Sequence, residues 1–343
     1  MSNCIITGGA GFIGSHLAER LLQNGHNVTI VDDFSAEGGN YLSNITHNEN
    51  RLKVITSDFY DVPNYRKELG EADYIFHLAG PVGVMRILDE GEKAHSVVER
   101  HLAGIDRMLH HVDSLTQAVF LASSSEIYGN TLRMKDGIER SQGLSESDQP
   151  DLPEEHHRRW WYAHMKRESE RRFISFASKT KIPVFIGRLF NITGGRQKPD
   201  SGMVIPRFIE QSLKGGALTI YGNGEQVRSF CSVDDCVAAI EYLAFKVAKI
   251  SVPEQIFNIG YRQPVRIKEL ARRINAKTGN HTKPLFKNLS DVYGSSDSEV
   301  DVRIPNTQRL HRYGFKPSIP LDQILEDMID LYQSSGRSNS LTG

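Results

Sequence analysis

Cysteine is nearly missing from this chain: Cys4, Cys231 and Cys236 are the only three among 343 residues. None of them has metal-ligand spacing, and usage this sparse suggests a reducing compartment. They read as small buried hydrophobes. Net charge is as scant, with 41 basic against 42 acidic residues and a formal charge of −1. That removes any electrostatic case for nucleic acid or an anionic membrane as partner. No apolar run approaches the ~20 residues needed to cross a bilayer. The first apolar run begins within a few residues of Met1, which leaves no room for a signal peptide, so a cytoplasmic protein is expected. The pairs His110-His111 and His156-His157 lack any accompanying ligand pattern, and no metal is expected. Internal repeats and low-complexity tracts are absent. With 39% hydrophobic and 24% charged residues, the composition is that of an ordinary globule, long enough for one large domain or a large and a small one.

Glycine, by contrast, is placed with purpose. Gly8, Gly11 and Gly14 punctuate the run Thr7-Gly8-Gly9-Ala10-Gly11-Phe12-Ile13-Gly14. A short apolar run ending at Thr7 precedes it, and Ile13, Leu17, Leu21 and Leu22 continue it with helical spacing. Strand, glycine turn and helix together form a dinucleotide site: bare backbone can approach a pyrophosphate, and the helix N-terminus offers free N–H groups and partial positive charge. Asp32 ends the next apolar run, 18 residues past Gly14. A carboxylate there bonds ribose hydroxyls and repels a 2′-phosphate, which favours NAD over NADP.

Apolar runs that read as buried parallel strands recur at 4–7, 28–31, 53–56, 74–77, 118–122 and 184–187, with helical patterns between most of them. This alternation predicts an α/β fold, a doubly wound parallel Rossmann sheet with a smaller C-terminal α/β substrate lobe. Residues 1–190 form the expected NAD-binding domain, to which later segments such as 225–262 return. Residues 191–333 form mainly the substrate lobe, with amphipathic helices at 267–278 and 321–332, and 334–343 a frayed tail. The polar stretch 130–158 is expected to loop over the active site.

Two segments carry chemistry. Ser123-Ser124-Ser125-Glu126 leaves a strand, where the carboxyl ends of the sheet meet ligand. Tyr162 and Lys166 lie four apart on a helical stretch and share a face. An ammonium beside a phenol favours phenolate and makes it a usable base near neutrality.

With these motifs in place, residues 3–333 resemble the extended short-chain dehydrogenase/reductases, specifically the nucleotide-sugar epimerase, dehydratase and decarboxylase family. The resemblance implies a catalytic set of Ser124, Tyr162 and Lys166, in which Tyr162 takes the proton of the sugar O4, Ser124 bonds that oxygen and Lys166 orients the nicotinamide ribose. It implies cofactor contacts from Gly8, Gly11, Phe12, Ile13, Gly14, Asp32, Asp58, Phe59, Leu78 and Ala79, with Asp58 at the adenine. It implies substrate contacts from Ser125, Arg159, Asn191, Arg228 and Arg303, the asparagine and Arg228 at the diphosphate. A homodimer through helices near 93–112 and 160–178 is implied as well. One departure stands out: His101 fills a slot where the family usually has asparagine.

Glu126 separates the members. A C4 ketone acidifies C5 and turns a C6 carboxylate into a β-keto acid, so the intermediate can lose water, lose CO₂ or take hydride back on the other face. Four-epimerases usually carry a small or neutral residue at this position, whereas dehydratases and decarboxylases carry glutamate. Ser125 before it, and Arg159-Trp160-Trp161-Tyr162, resemble UDP-glucuronate decarboxylases. That reaction ranks first, on a UDP- or dTDP-linked sugar. 4,6-Dehydration and 4-epimerisation are the alternatives, and a non-catalytic NAD-binding sensor is the rival from another class.

Overall fold

The computed structural model describes residues 1–35, 41–45, 49–81, 94–132, 143–153, 160–199, 202–250, 252–288 and 300–339. Its centre is a seven-stranded sheet. β1 (Asn3–Thr7), β2 (Asn27–Asp32), β3 (Leu52–Thr56), β4 (Tyr74–His77), β5 (Ala118–Ser124) and β6 (Val184–Leu189) are joined by a strand from far along the chain, Ile256–Ile259. The order is β3-β2-β1-β4-β5-β6 and then Ile256–Ile259 at the edge, with every pairing parallel.

Both faces of this sheet are covered, which is why its strands read as nearly unbroken apolar runs. Successive side chains point to opposite faces. Cys4, Ile6, Val28, Ile30, Phe76 and Phe120 therefore pack with the helices Phe12–Gln23 and Val233–Phe245. Ile5, Val31, Ile75, Val119, Leu121 and Ile186 pack on the other side with Ala94–His110 and Trp161–Thr180. All three cysteines are buried free thiols in or beside this core, in agreement with the sequence. The strand order reverses between β1 and β4, and the carboxyl ends of those strands frame the crevice where doubly wound sheets bind ligands.

The remaining strands are short: β7 (Ile192–Thr193), β8 (Thr219–Tyr221), β9 (Val227–Ser229), β10 (Cys231–Ser232), then β11 (Ile256–Ile259) of the large sheet, β12 (Pro264–Arg266), β13 (Leu285–Lys287) and β14 (Val302–Arg303). They form pairs β7–β10 and β8–β13 and the three-stranded sheet β12-β9-β14. Helices Val204–Leu213, Ile267–Thr278 and Leu321–Asn339 enclose a second core around Ile209, Leu270, Ile274, Leu325 and Met328. The last helix runs into the expected tail, its backbone helical to Asn339.

Within the stretch 130–158, the described residues 143–153 are more tightly held than their polarity suggests. Residues 133–142 and 154–159, Arg159 included, lie outside the described residues. Between them Leu144 bridges to Pro305, Asp151 bridges to Gly129, and the Glu146 side chain is almost fully buried. Among the described residues no helix is long and apolar enough to cross a membrane.

Candidate active site

β1 delivers the chain to Gly8, whose φ of 72° lies in the left-handed region. A Cβ on Gly8 would stand 2.7 Å from the Ala79 nitrogen, and one on Gly14 would stand 2.1 Å from the Gly8 oxygen. Backbone here lies against backbone, and only glycine fits. Gly11 is the N-cap of the helix that carries Phe12 and Ile13, and no side chain caps it, so its first-turn N–H groups face outward for an anion. At the end of β2, Asp32 accepts from the Ala10 N–H at 2.9 Å on one oxygen and from the Phe34 N–H at 2.9 Å on the other. Burial pushes its carboxyl up while these two bonds oppose the rise. The carboxylate is thus fixed over the glycine turn with lone pairs left for hydroxyls.

Asp58 accepts from the Tyr60 N–H at 3.1 Å and pairs with Arg100 at 3.0 Å, and that guanidinium lies over the Tyr60 ring. Phe59 is buried behind it. Leu78 and Ala79 line the far wall, where the Leu78 N–H donates to the Thr7 carbonyl at 3.0 Å. A side-chain-free turn, an uncapped helix start and a fixed carboxylate fit a dinucleotide with unmodified ribose.

At the end of β5 the reactive groups converge. Tyr162 and Lys166 are both buried on the helix Trp161–Thr180. The Lys166 ammonium donates to the Ala122 carbonyl at 3.0 Å and sits 5.9 Å from the Tyr162 ring centre. Burial lowers its pKa to about 8, with Glu170 opposing the fall. Ser124 caps the turn Ser125–Tyr128, its hydroxyl accepting from the Glu126 N–H at 3.2 Å, and Ser125 is buried beneath.

Behind Lys166 lie two buried imidazoles. His77 shares a 2.7 Å hydrogen bond with the Thr7 hydroxyl, and burial, then Lys166, pull its pKa down to about 3. His101 is held well below the usual imidazole range by burial first and Lys166 next. Neither of its ring nitrogens has a hydrogen-bond partner among the described residues.

A second, charged cluster assembles from distant segments. Glu126 pairs with Arg303 at 2.5 Å, both side chains largely buried. Arg303 Nε and Nη2 are buried and without partner among the described residues. Arg303 lies opposite Arg228 in the β14–β9 register, and Arg228 donates to the Val227 and Asp301 carbonyls at 3.0 and 3.3 Å. Asn191, at φ 40°, donates its amide to the Ser229 carbonyl on the same strand at 2.8 Å. A guanidinium tied on one side to a carboxylate, with donors to spare, is a receptor for a second anion.

The sequence reading named Glu126 and Arg303 separately and missed that they form one unit. It also missed Ser123, Glu170 and Arg188, which lock this edge together. A signal for two of them existed: Glu170 repeats the spacing of Tyr162 and Lys166 one turn on, and Arg188 is a lone charge inside an apolar strand. Among the described residues no group of three or more His, Cys, Asp or Glu could hold a metal ion.

Known proteins bear on this geometry. Residues 4–260 match the model of the NAD dependent epimerase/dehydratase family. The chain is 34% identical to the UDP-N-acetyl-α-D-glucosaminuronate decarboxylase of Bacillus cytotoxicus, over 96% of this chain and 97% of the relative. It is 30% identical to UDP-glucuronic acid decarboxylase 1 of Xenopus tropicalis, over 96% of this chain and 72% of the relative. The crystal structure of UDP-glucuronic acid 4-epimerase from Bacillus cereus, in complex with UDP-glucuronic acid and NAD, superposes with a TM-score of 0.78 at 25% identity, covering 96% of this chain and 99% of that one. Glycine cradle, fixed Asp32 carboxylate and buried tyrosine–lysine pair agree with these matches: the chain is an NAD-dependent enzyme and belongs to the NAD dependent epimerase/dehydratase family.

Proposed function

We propose that the protein is a UDP-hexuronate decarboxylase. The observation that carries the reading is the Glu126–Arg303 pair at the end of β5, within the turn that Ser124 caps. Bound NAD would accept hydride from C4 of the sugar and return it, so turnover needs no outside reductant. Tyr162 takes the O4 proton as the ketone forms and gives it back at the end. Ser124 hydrogen-bonds O4, and the Lys166 ammonium favours the phenolate. Arg303 offers its two remaining nitrogens to the C6 carboxylate.

A second carboxylate beside Glu126 is electrostatically costly, and loss of neutral CO₂ relieves it. The C5–C6 bond breaks with its electron pair delocalised into the C4 carbonyl. One proton then enters at C5, with Glu126 placed to relay it from water. Arg228 and Asn191 serve the diphosphate, and residues 191–333 act mainly as the substrate lobe.

Decarboxylases among the relatives support the reaction, and the substrates those enzymes are named for differ at C2: glucuronate in one, N-acetylglucosaminuronate in the other. The same reading makes the protein a cytoplasmic homodimer through the helices Ala94–His110 and Trp161–Thr180, which light scattering checks. The function is tested by incubating purified protein with UDP-glucuronate and with UDP-N-acetylglucosaminuronate, without added cofactor, and recording product mass. Loss of CO₂ from either supports the reading. An isomer of unchanged mass would move it to 4-epimerisation, and loss of water to dehydration.

A further inference from the structure

Two hydrogen bonds tie consecutive residues of β5 to positions one turn apart on the neighbouring helix. The Lys166 ammonium donates to the Ala122 carbonyl at 3.0 Å, and the Ser123 hydroxyl donates to Glu170 at 2.6 Å. From β6, Arg188 stands opposite Ser123 in the strand register. It closes on Glu170 with both arms of its fork, Nε to one oxygen at 3.0 Å and Nη2 to the other at 2.9 Å. Ser123, Glu170 and Arg188 are all buried. Two strands and one helix therefore meet at a single carboxylate, directly behind Ser124 and one turn from Lys166.

We propose that Glu170 is a positioning residue of the redox step: it locks the Tyr162–Lys166 helix to the end of β5 through Ser123 and Arg188, and it is the counter-charge of the buried Lys166 ammonium. This rests on the reading of Tyr162 and Lys166 as the groups that move the C4 proton. The surroundings of Lys166 leave this role to Glu170. β4 presents His77 and the helix Ala94–His110 presents His101, both held neutral by burial. β5 presents the Ala122 carbonyl, Ser123 and Ser124, none charged. Its own helix presents Tyr162 and Glu170, and β6 presents Arg188, a cation already committed to Glu170. Glu170 is the one anion among the described residues that acts on Lys166, and it works against desolvation. Without it the ammonium would be lost at lower pH, and the phenolate with it.

The test is the pH profile of kcat, using whichever of UDP-glucuronate and UDP-N-acetylglucosaminuronate the wild type turns over. Glu170→Gln should move the alkaline limb, expected near the Lys166 value of about 8, down by about one unit. Relative to wild type, the variant then loses about fivefold more at the wild-type midpoint than two units below it, on top of an even fall from the weakened tethers. Glu170→Asp keeps the charge, so the limb should stay while kcat falls evenly. Ser123→Ala, which removes one tether and no charge, should likewise lower kcat at every pH without moving the limb.

If stranded Arg188 unfolds Glu170→Gln, the pair Glu170→Leu with Arg188→Met removes both buried charges together, a replacement that cores tolerate, and should show a downward shift of smaller size, since no uncovered guanidinium then repels the ammonium. A wild-type limb in the folded variant that lacks Glu170 would overturn the proposal. Tyr162→Phe separates the two levels: its inactivity leaves the redox reading standing whatever Glu170 does. Full activity would overturn that reading and the role of Glu170 with it.

Discussion

At the β1–β4 crevice the candidate ligand surface is mostly backbone and uncapped N–H groups, with the Asp32 carboxylate fixed over them, nearly all of it supplied within the first eighty residues. At the β5 edge it is charged side chains, and the central pair, Glu126 and Arg303, is 177 residues apart in the chain. The first region is shared with any enzyme that holds the same dinucleotide, since a pyrophosphate and a ribose demand little beyond room and donors. On the proposed reading the second tells one sugar acid from another, with groups that only folding brings together. On that reading redox capacity is built into the sheet, and the choice of reaction comes from pairing Glu126 at the end of β5 with Arg303 of β14.

Glu126→Ala breaks the two regions apart and carries the largest expected effect. CO₂ release should fall by roughly 10²–10⁴-fold, the range of a lost acid–base group, while reduction of bound nicotinamide on mixing with UDP-hexuronate continues. Stopped-flow absorbance with product mass in parallel reads both steps, and equal loss of the two would remove the separate role of Glu126. Gly14→Ala attacks only the cradle. Its Cβ would meet the Gly8 oxygen at 2.1 Å, and overpacking of about 1–3 kcal/mol should weaken NAD by about 5–150-fold. Calorimetric titration of protein stripped of nucleotide measures this, and unaltered affinity would contradict the close backbone contact.

His101→Leu should have the smallest effect, on stability and its pH dependence. The buried His77 and His101 take up protons far below the ordinary imidazole value of 6.5, so below that value the unfolded chain binds more protons than the folded one. Their stabilisation is fully present above about pH 6.5 and drains as pH falls toward the folded values, by about 1.4 kcal/mol per unit for each ring. Replacing His101 should remove one ring's share of that acid slope in urea denaturation, about 1.4 kcal/mol per pH unit, and cost little at neutral pH, where two unpaired ring nitrogens disappear. An unchanged slope would show that His101 titrates normally.

The same contrast governs how far the sequence could be read. The six strands predicted from apolar runs are six of the sheet's seven, within a residue or two at their ends, because a parallel sheet covered on both faces leaves an unbroken apolar signature; the seventh, Ile256–Ile259, is not among them. The helix at 267–278 was legible from its spacing, and so was the glycine cradle, whose parts are local. β14 is only two residues long and has no period to detect. Its importance lies in placing Arg303 against Glu126, a tertiary fact. Glu146 sits in a stretch whose polarity suggests solvent, yet its side chain bonds the Asn258 N–H at 2.8 Å inside the fold. Buried polar networks of this kind satisfy groups from remote segments, and no local pattern announces them.

The most direct test of decarboxylation with an internally recycled hydride is turnover in deuterated water, with the product read by mass and proton NMR. The account predicts a decarboxylated product carrying one deuterium at C5, from solvent, and none at C4, where the original hydrogen returns. Deuterium absent from C5, or the carboxylate retained in a 4-epimer, would contradict it.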